Sequence, residues 1–275
     1  MDNWQEWLEP VIAVAKEAGA GIAHYFGLSS QQMHVSRKDD NTFLTQADVC
    51  ANEIIVRGLK HLSSLPILSE ESALLSYEAR KNWSFYWLID PLDGTRGFIE
   101  RSEEFTVNIA LIHEHQPVMG VVYVPMQKCC YFAIRGKGAY KQSGNDEPRR
   151  IQTRQIDWSS YHILFGRYLR NAQLPDWFSA QPGVSVIRLN SSLKLCWIAE
   201  GKGDIYPRLG ETSEWDTAAT QCVVEAAGGA VLDFNEDPLQ YNTRSSVLNP
   251  PFVVIGDPKQ KSQIIQLIQT VRSAK

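Results

Sequence analysis

The sequence lacks a strong net charge, a long apolar run and a recognisable leader. Its 275 residues carry a formal net charge of −4, which argues against a nucleic-acid polymer or an anionic membrane as partner. No stretch reaches the roughly 18 apolar residues of a membrane span, so none is expected. The first 20 or so residues are acidic early and do not resemble a signal peptide. The net charge is compatible with a small phosphorylated partner, because binding such a molecule requires only a local group of cations.

The cysteines follow no spacing that indicates a disulfide framework or a zinc site. Their number is odd, no pair is separated by two residues, and two of them are adjacent, a poor geometry for a mutual disulfide. We expect free thiols that pack as small apolar groups at Cys50, Cys129, Cys130, Cys196 and Cys222. This pattern is typical of the reducing cytoplasm. Contact with the inner membrane face stays open, as does the choice between monomer and homodimer.

Hydrophobic residues make up 44% of the chain and recur with two different periods. Helical spacing predicts helices, and short apolar runs between turn residues predict strands. The predicted helices cover 4–26, 45–62, 192–200 and 216–227. The predicted strands cover 66–69, 85–89, 105–112, 118–124, 131–134, 139–141, 161–165, 184–189, 204–206 and 230–234.

The order of these elements predicts an α/β protein with two lobes. The polar stretch 142–150 is the expected boundary between them. Residues 1–150 are predicted to form an α+β lobe with an antiparallel meander. Residues 151–275 alternate strands and helices and are predicted to form an α/β lobe.

Carboxylates stand where predicted strands end and helices begin. Glu70 and Glu71 follow the first strand, Asp90 follows the second, and Asp93 comes three residues later. Asp216 opens a predicted helix. Hard divalent cations such as Mg²⁺ prefer oxygen ligands, usually carboxylates together with water and phosphate oxygens. The pattern is therefore compatible with a metal site.

Each of these acids also has an ordinary structural explanation. Asp93 and Asp216 are well placed to cap helices, and Asp48 closes a capping box over 45–48. The Glu70–Glu71 pair is compatible with a solvated loop, the usual place for adjacent acids. Their joint occurrence at the ends of elements favours the metal site over separate caps.

Three segments resemble the signature motifs of the inositol monophosphatase superfamily. They are LSEES at 68–72, WLIDPLDGT at 87–95 and EWDTAA at 214–219, and TQAD at 45–48 resembles an upstream element of the same family. Their order and spacing also fit, and the resemblance runs from the first helix to about Gly256. It implies a layered αβαβα sandwich, as in fructose-1,6-bisphosphatase, with the metal site between the two lobes.

The resemblance implies a metal-dependent phosphomonoesterase that is sensitive to lithium. The implied ligands of two or three Mg²⁺ ions are the side chains of Glu70, Asp90, Asp93 and Asp216 and the carbonyl of Leu92. Asp48 and Thr95 would orient and deprotonate the attacking water, without a phosphoenzyme intermediate. The amides of Gly94 and Thr95 would hold the phosphate, which suits the start of a helix.

Two further elements resemble the 3′(2′),5′-bisphosphate nucleotidase branch of that superfamily: SSLK at 191–194 and YPR at 206–208. A second phosphate needs cations, and Lys194 and Arg208 supply them. The alternative is an ordinary solvated pair of charges. The implied substrate-binding residues are Glu70, Gly94, Thr95, Ser191, Lys194, Arg208 and Asp216.

Two segments depart from that branch. Gly166–Leu169 reads GRYL where the branch commonly has SRSH, so Arg167 is kept while the serine and histidine are missing. Base recognition is therefore expected to differ. The stretch 35–39 resembles the family's mobile loop, but the NTFL at 41–44 replaces a more usual SPV. The His113–His115 stretch is interpreted as a solvated turn rather than a metal pair.

The leading hypothesis is hydrolysis of 3′-phosphoadenosine 5′-phosphate to AMP and phosphate. The alternative on the same scaffold is an inositol monophosphatase or another sugar phosphate phosphatase. A hypothesis of another class is a catalytically silent protein that senses phosphorylated nucleotides. The presence of all of Asp48, Glu70, Asp90, Asp93 and Asp216 argues against a catalytically silent protein, since such a homologue is expected to have lost at least one of them.

Overall fold

Two large β-sheets and eight α-helices form the part of the chain that a computed structural model describes, which is residues 4–28, 35–37, 43–168 and 173–273. The first helix follows a 3₁₀ turn at Trp4–Trp7 and has Pro10 in its first turn, where proline is tolerated. The helices are α1 (Leu8–Phe26), α2 (Gln46–Leu62), α3 (Tyr77–Arg80), α4 (Thr95–Ile99), α5 (Gln173–Ser179), α6 (Leu193–Ala199), α7 (Glu214–Ala226) and α8 (Lys261–Ser273).

Strands are numbered in chain order through both sheets and one short ribbon. They are β1 (Ser36–Arg37), β2 (Phe43–Leu44), β3 (Ile67–Ser69), β4 (Phe85–Asp93), β5 (Thr106–His113), β6 (Gln116–Val124), β7 (Cys129–Ile134), β8 (Gly138–Ser143), β9 (Arg149–Ile151), β10 (Tyr161–Gly166), β11 (Val184–Leu189), β12 (Ile205–Arg208), β13 (Ala230–Asp233) and β14 (Phe252–Ile255). The ribbon pairs β1 with β2.

The larger sheet contains β3 to β9 in sequence order. Its strands are antiparallel from β4 onward, which confirms the predicted meander, while β3 and β4 run parallel. Strand β5 is buried along nearly its whole length, so its apolar residues at 109–112 run consecutively rather than alternating with polar ones. The stretch 142–150 is less of a linker than expected, because β8 extends to Ser143 and β9 begins at Arg149.

The smaller sheet is mixed, with the order β11, β10, β12, β14, β13. Strands β10, β11 and β12 are parallel, and β14 runs antiparallel to both of its neighbours. The sequence reasoning found neither β14 nor α8. Strand β14 is only four residues long, so periodicity alone could not separate it from a loop.

The elements stack in five layers, which confirms the expected αβαβα arrangement. Helices α1 and α2 cover one face of the larger sheet through a stripe of apolar residues at helical spacing. Helices α6 and α7 fill the space between the two sheets. Helices α5 and α8 cover the outer face of the smaller sheet. The division into lobes at residue 150 stays a prediction, since the central core is shared by residues of both halves.

The five cysteines are free thiols, and four of them are buried. Burial raises the pKa of Cys222 to about 12. Among the described residues, no helix has both the length and the apolarity needed to cross a bilayer.

The central layer depends on a close approach of α7 to the larger sheet at Gly120. A Cβ atom added there would lie 2.2 Å from the backbone oxygen of Ala219 and 2.9 Å from Cβ of Cys222. Because the obstacle is backbone, α7 itself would have to move. Helix α7 carries Asp216, so this contact also sets the distance between that residue and the sheet.

We expect Gly120→Ala to lower the free energy of unfolding by about 1–3 kcal/mol, the usual cost of overpacking. Urea unfolding measures it. Gly210→Ala is the matched control, because its added methyl group would meet only the Arg208 side chain, at 4.0 Å. Equal unfolding midpoints for Gly120→Ala and wild type would contradict the account.

Candidate active site

The first two carboxylates of the site come from neighbouring parallel strands. In the register of β3 and β4, Ser69 lies opposite Ile89, so the next residues of both strands, Glu70 and Asp90, arrive at the same edge. The backbone N–H of Glu70 donates to the Ile89 carbonyl at 3.2 Å. Since the carboxyl ends of parallel strands meet at one edge of a sheet, topology alone brings these two acids together.

A β-bulge presents Asp90 and Asp93 on the same strand. Asp90 pairs with Asn108 and Asp93 with Thr106, so β4 uses one more residue than β5 between these pairs. The sequence analysis ended this strand at residue 89, before Pro91. That expectation was wrong, because proline is tolerated at a bulge, where its missing N–H breaks no ladder bond. Helix α4 begins as expected at Thr95, after Gly94 with φ of +95°.

The third element is the first turn of α7. The helix begins two residues before Asp216, with Ser213 as its N-cap, so Asp216 is not the cap itself. Its Oδ2 accepts a hydrogen bond from the Ser213 N–H at 2.9 Å, which completes a capping box. One ligand oxygen from each of Glu70, Asp90 and Asp216 lies within 4.8 Å of the others. The expected closeness of Asp216 and Asp90 is thereby confirmed.

The cluster is electrostatically unfavourable without a cation. Burial, followed by the charges of Glu70, Asp93 and Asp216, raises the pKa of Asp90 well above its ordinary value. Burial and the charges of Asp93 and Glu70 likewise raise the pKa of Asp216. Asp90 Oδ1 accepts from the Leu92 N–H at 3.0 Å, while its buried Oδ2 has no hydrogen-bond partner among the described residues. This arrangement of oxygen donors fits a hard divalent cation such as Mg²⁺.

Asp48 lies beside Thr95 at the edge of this cluster. Its Oδ2 accepts hydrogen bonds from the N–H and the hydroxyl of Thr45, at 2.7 and 2.6 Å. Its Oδ1 accepts from the Thr95 hydroxyl at 3.2 Å, and that hydroxyl also lies 3.1 Å from the Leu92 carbonyl. The capping-box interpretation of Asp48 is therefore correct, and the same carboxylate also faces the site with its other oxygen.

Asp93 joins the larger sheet to the start of α6. Its Oδ2 accepts a hydrogen bond from the Ser192 N–H. The Ser192 hydroxyl bonds to Thr106 at 2.7 Å and to Asn108 at 2.8 Å, both on β5. Ser191 has a φ of +53°, an uncommon value for a residue other than glycine. The backbone turn at Ser191 thus directs an N–H at the Asp93 carboxylate.

Lys194 is buried rather than solvated. Its side chain is 6% exposed, its Nζ donates to the Ser191 carbonyl, and it lies 5.3 Å from the centre of the Tyr206 ring. Burial lowers the pKa of Lys194 to about 8; the nearby Asp93 opposes that shift and Arg208 adds to it. Arg208 is half-buried and donates to the Glu211 carbonyl at 2.5 Å. A solvated pair of charges therefore does not describe Lys194.

One cavity of about 230 Å³ has Asp93 and Asp216 in its wall together with these two cations, whereas Asp48, Glu70, Asp90, Leu92 and Thr95 do not line it. Its wall includes most of the predicted site residues together with a second group from the end of β10. The lining residues that matter here are Asp93, Gly94, Ser191, Lys194, Arg208, Asp216, Arg167 and Tyr168. A molecule with two phosphate groups could place one beside Lys194 and Arg208 and the other beside Asp93 and Asp216, where a bound divalent cation would offset the repulsion.

The sequence analysis singled out Arg167 in this wall of the cavity but missed its partner. Arg167 forms a forked pair with Glu104, with N–O distances of 2.8 and 2.6 Å, and Glu104 also accepts from the Asn190 N–H at 3.0 Å. The guanidinium of Arg96 lies 4.2 Å from the centre of the Tyr168 ring. No sequence signal announced Glu104, because the adjacent acids at 103 and 104 look like any solvated pair.

Two other expectations fall outside the site. The turn at His113–His115 is present, but His115 is half-buried and its Nδ1 lies 2.9 Å from the Tyr241 carbonyl. The interpretation as a purely solvated turn was therefore incomplete. Lys38 and Asp39 of the predicted mobile loop, together with Asn41, Thr42 and Leu169, lie outside the described residues.

Comparison with known proteins points to one family. Residues 3–273 match the model of the Inositol monophosphatase family. The chain is 40% identical over 248 residues to the 3′(2′),5′-bisphosphate nucleotidase CysQ of Salmonella typhimurium, covering 90% of this chain and 98% of that protein. It is 36% identical over 256 residues to CysQ of Haemophilus influenzae, covering 91% and 93%.

Solved structures agree with the sequence relatives. The crystal structure of CysQ from Bacteroides thetaiotaomicron, described as a bacterial member of the inositol monophosphatase family, superposes with a TM-score of 0.81 at 36% identity. It covers 92% of this chain and 98% of that one. An IMPase from Thermotoga maritima superposes with a TM-score of 0.79 over 98% of this chain and 99% of that one, at 20% identity, and so supports the fold alone.

We expect Asp90→Asn to stabilise the metal-free protein at pH 7. The introduced amide can keep the bond from Leu92 N–H through its oxygen, and its NH₂ group would meet the Glu70 and Asp216 carboxylates. The raised pKa of Asp90 means that wild-type stability falls as pH rises from about 4 through that pKa. Asparagine does not titrate, so we expect a gain of about 1–3 kcal/mol, measured by urea unfolding in EDTA.

Added Mg²⁺ should stabilise wild type and have a much smaller effect on Asp90→Asn. Asp204→Asn is the matched control. The buried Asp204 carboxylate accepts two hydrogen bonds from the Arg154 guanidinium, so its neutralisation should destabilise the protein. A metal-free Asp90→Asn protein less stable than wild type would show that the cluster is not repulsive.

Proposed function

This chain belongs to the inositol monophosphatase family, and we propose that it is a 3′(2′),5′-bisphosphate nucleotidase that converts 3′-phosphoadenosine 5′-phosphate to AMP and phosphate. The relatives named CysQ at 36–40% identity support this enzyme class, a phosphoric monoester hydrolase. The single observation that carries the choice of substrate is the cavity whose wall contains Asp93 and Asp216 together with Lys194 and Arg208.

The proposed metal ligands are the side chains of Glu70, Asp90, Asp93 and Asp216 and the Leu92 carbonyl, for two or three Mg²⁺ ions. The repulsion within the cluster and the unpartnered Oδ2 of Asp90 support this assignment. Bound Mg²⁺ supplies neutralisation of the phosphoryl oxygens and a lower pKa for water. The side chains and backbone N–H groups of the protein carry out the other roles in the reaction.

Asp48 and Thr95 are the proposed general base system. Thr95 donates its hydroxyl proton to Asp48 Oδ1, which leaves a lone pair of the hydroxyl oxygen free to accept from the attacking water. The proton removed from that water ends on Asp48 through Thr95. Thr45 fixes the other oxygen of Asp48, so the carboxylate keeps one orientation while it accepts the proton.

The substrate is held at both ends in this proposal. The N–H groups of Gly94 and Thr95 bind the reacting phosphate, and Glu70 and Asp216 border it. Ser191, Lys194 and Arg208 bind the second, non-reacting phosphate. Lys194 is suited to this role because its ammonium group is already buried, so a phosphate would give it the charged partner that burial otherwise denies it.

A sugar phosphate phosphatase is the second candidate. This second candidate is favoured because the two side chains that follow β10 are already engaged. Arg167 is paired with Glu104, and the Tyr168 ring is covered by the Arg96 guanidinium. A cytoplasmic location and a monomeric or homodimeric state stay predictions, as does the absence of a nucleic-acid partner.

Phosphate release from a panel of substrates with Mg²⁺ tests the function. We expect the bisphosphonucleotide to have a kcat/KM at least about tenfold above that of inositol monophosphate or fructose bisphosphate, equivalent to about 1.4 kcal/mol. EDTA should abolish the release. A preference for inositol monophosphate would put the second candidate first, and no release from any substrate would support the silent binding protein.

We expect Lys194→Met to lower kcat/KM for the bisphosphonucleotide by about 10- to 150-fold, because a charge-assisted hydrogen bond contributes about 1.5–3 kcal/mol. Methionine keeps a buried apolar chain, so the fold should tolerate it. The same variant should leave kcat/KM for a monophosphate almost unchanged, since no second phosphate is held.

Lys141→Met is the matched control, since Lys141 is a largely buried lysine that is bonded to Glu200 and does not line the cavity. It should affect both substrates equally. An equal loss on the two substrates in Lys194→Met, or no loss on either, would remove the argument for a second phosphate site.

A further inference from the structure

A buried polar network lies behind the first turn of α7, away from the cavity. Its three members, Arg80, Glu214 and Asn242, are all 0% exposed. They come from α3, α7 and the segment that follows β13. None of them lines the cavity described above. Buried charges are costly unless they are paired and hydrogen-bonded, so a network whose member Glu214 lies two residues from Asp216 calls for a physical reason.

Glu214 is fixed at both its side chain and its backbone. Its two carboxylate oxygens accept from the backbone N–H of Asn242 at 3.0 and 2.9 Å. Its own backbone N–H donates to the Val247 carbonyl at 2.8 Å. The first residue of α7 is thus attached to a segment of chain that does not belong to the helix.

Arg80 holds that segment in place. Its guanidinium donates to the Asn242 side-chain oxygen and to the carbonyls of Arg244 and Ser245, the last two at 3.2 and 2.6 Å. The Asn242 side chain donates back to the Arg80 carbonyl at 2.6 Å. Asn242 has a φ of +57°, which asparagine adopts more readily than most residues. The end of α3 and the start of α7 are therefore linked through Asn242.

Asp216 needs such an anchor. Glu70 and Asp93 repel the Asp216 carboxylate, which accepts a hydrogen bond from the Ser213 N–H on the same turn. A helical turn that carries a repelled charge would relax by fraying or rotating away from the cluster. Glu214 lies in the same turn and is held from behind, so the turn cannot rotate without breaking the bonds to Asn242.

We infer that Arg80, Asn242 and Glu214 are positioning residues that hold Asp216 at metal-binding distance from Glu70 and Asp90. The inference rests on the proposed function, because it assumes that Asp216 is a metal ligand. The network touches neither substrate nor the reacting atoms. It acts by keeping the carboxylate cluster assembled before a cation arrives, at the expense of burying an arginine and a glutamate.

The test is binding of Mg²⁺ alone, measured by isothermal titration calorimetry without substrate, together with the melting temperature in EDTA. We expect Arg80→Met to raise the Mg²⁺ Kd by about 10- to 100-fold, as loss of supporting contacts to metal ligands usually does. Glu214→Gln keeps the shape of the side chain and one oxygen that accepts from the Asn242 N–H. This variant should therefore fold even if Arg80→Met does not, and its Mg²⁺ Kd should rise less.

Arg154→Met is the matched control, because it also removes an arginine from a buried partner, Asp204, that lies outside the site. It should lower the melting temperature and leave the Mg²⁺ Kd unchanged. At saturating Mg²⁺, the KM for the bisphosphonucleotide should change little in Glu214→Gln, because the network does not touch the substrate.

A lowered melting temperature with an unchanged Mg²⁺ Kd in both Arg80→Met and Glu214→Gln would overturn the inference. The proposed function is judged separately on wild type. If wild type releases phosphate with Mg²⁺ but the variants bind Mg²⁺ as tightly, only the inference fails. If the variants lose Mg²⁺ affinity but wild type does not hydrolyse the bisphosphonucleotide, the inference stands and the function fails. Wild type that binds no Mg²⁺ would overturn both.

Discussion

Mutual repulsion of buried and half-buried carboxylates is the constraint around which the rest of the molecule is arranged. Glu70, Asp90 and Asp216 hold oxygens within 4.8 Å of one another, although burial and their charges make ionisation of Asp90 and Asp216 unfavourable. A flexible chain would separate these groups. The fold keeps them together by placing each on a rigid element: a strand end, a bulge and the first turn of a helix.

The second half of the chain is joined to this cluster through short polar links. The Ser192 N–H reaches Asp93, and the forked pair of Arg167 with Glu104 closes the other side of the cavity. Lys194 follows Ser192 by two residues, so the same turn that binds Asp93 also sets the position of the buried ammonium group. Asp93 and Lys194 are in this way held by one turn of the chain, because each bonds to a backbone group of that turn.

Burial gives the same charged groups their chemical properties. Asp90 lacks a protein partner for one oxygen among the described residues, and Lys194 has a pKa lowered to about 8. A bound cation would compensate the charge of Asp90, and a bound anion would compensate the charge of Lys194. The site is therefore complementary to a metal–phosphate assembly as a whole, because each half of that assembly supplies the charge that the protein leaves uncompensated.

Much of the fold could be predicted because it depends on local patterns. The long helices and the meander follow from apolar periodicity. The residues Asp48, Glu70, Asp90, Asp93 and Asp216 could be selected because they stand in motifs that resemble those of a known family. The bulge at Pro91 could not, because a proline after a strand is equally compatible with a turn. Strand β14 was missed since four apolar residues have no period to detect.

The sequence by itself determined which residues are candidates for the chemistry and which elements present them, since both depend on residue type and on contacts close in the chain. The tertiary structure alone decided what surrounds them. Glu104, Arg80 and Asn242 look like ordinary surface residues in the sequence, and Glu214 is marked there only as the first residue of a motif. Only folding brings Arg80 to a partner 162 positions away. Burial, which turns Lys194 from a solvated cation into one that lacks water and favours an anionic partner, is likewise a property of the packed molecule.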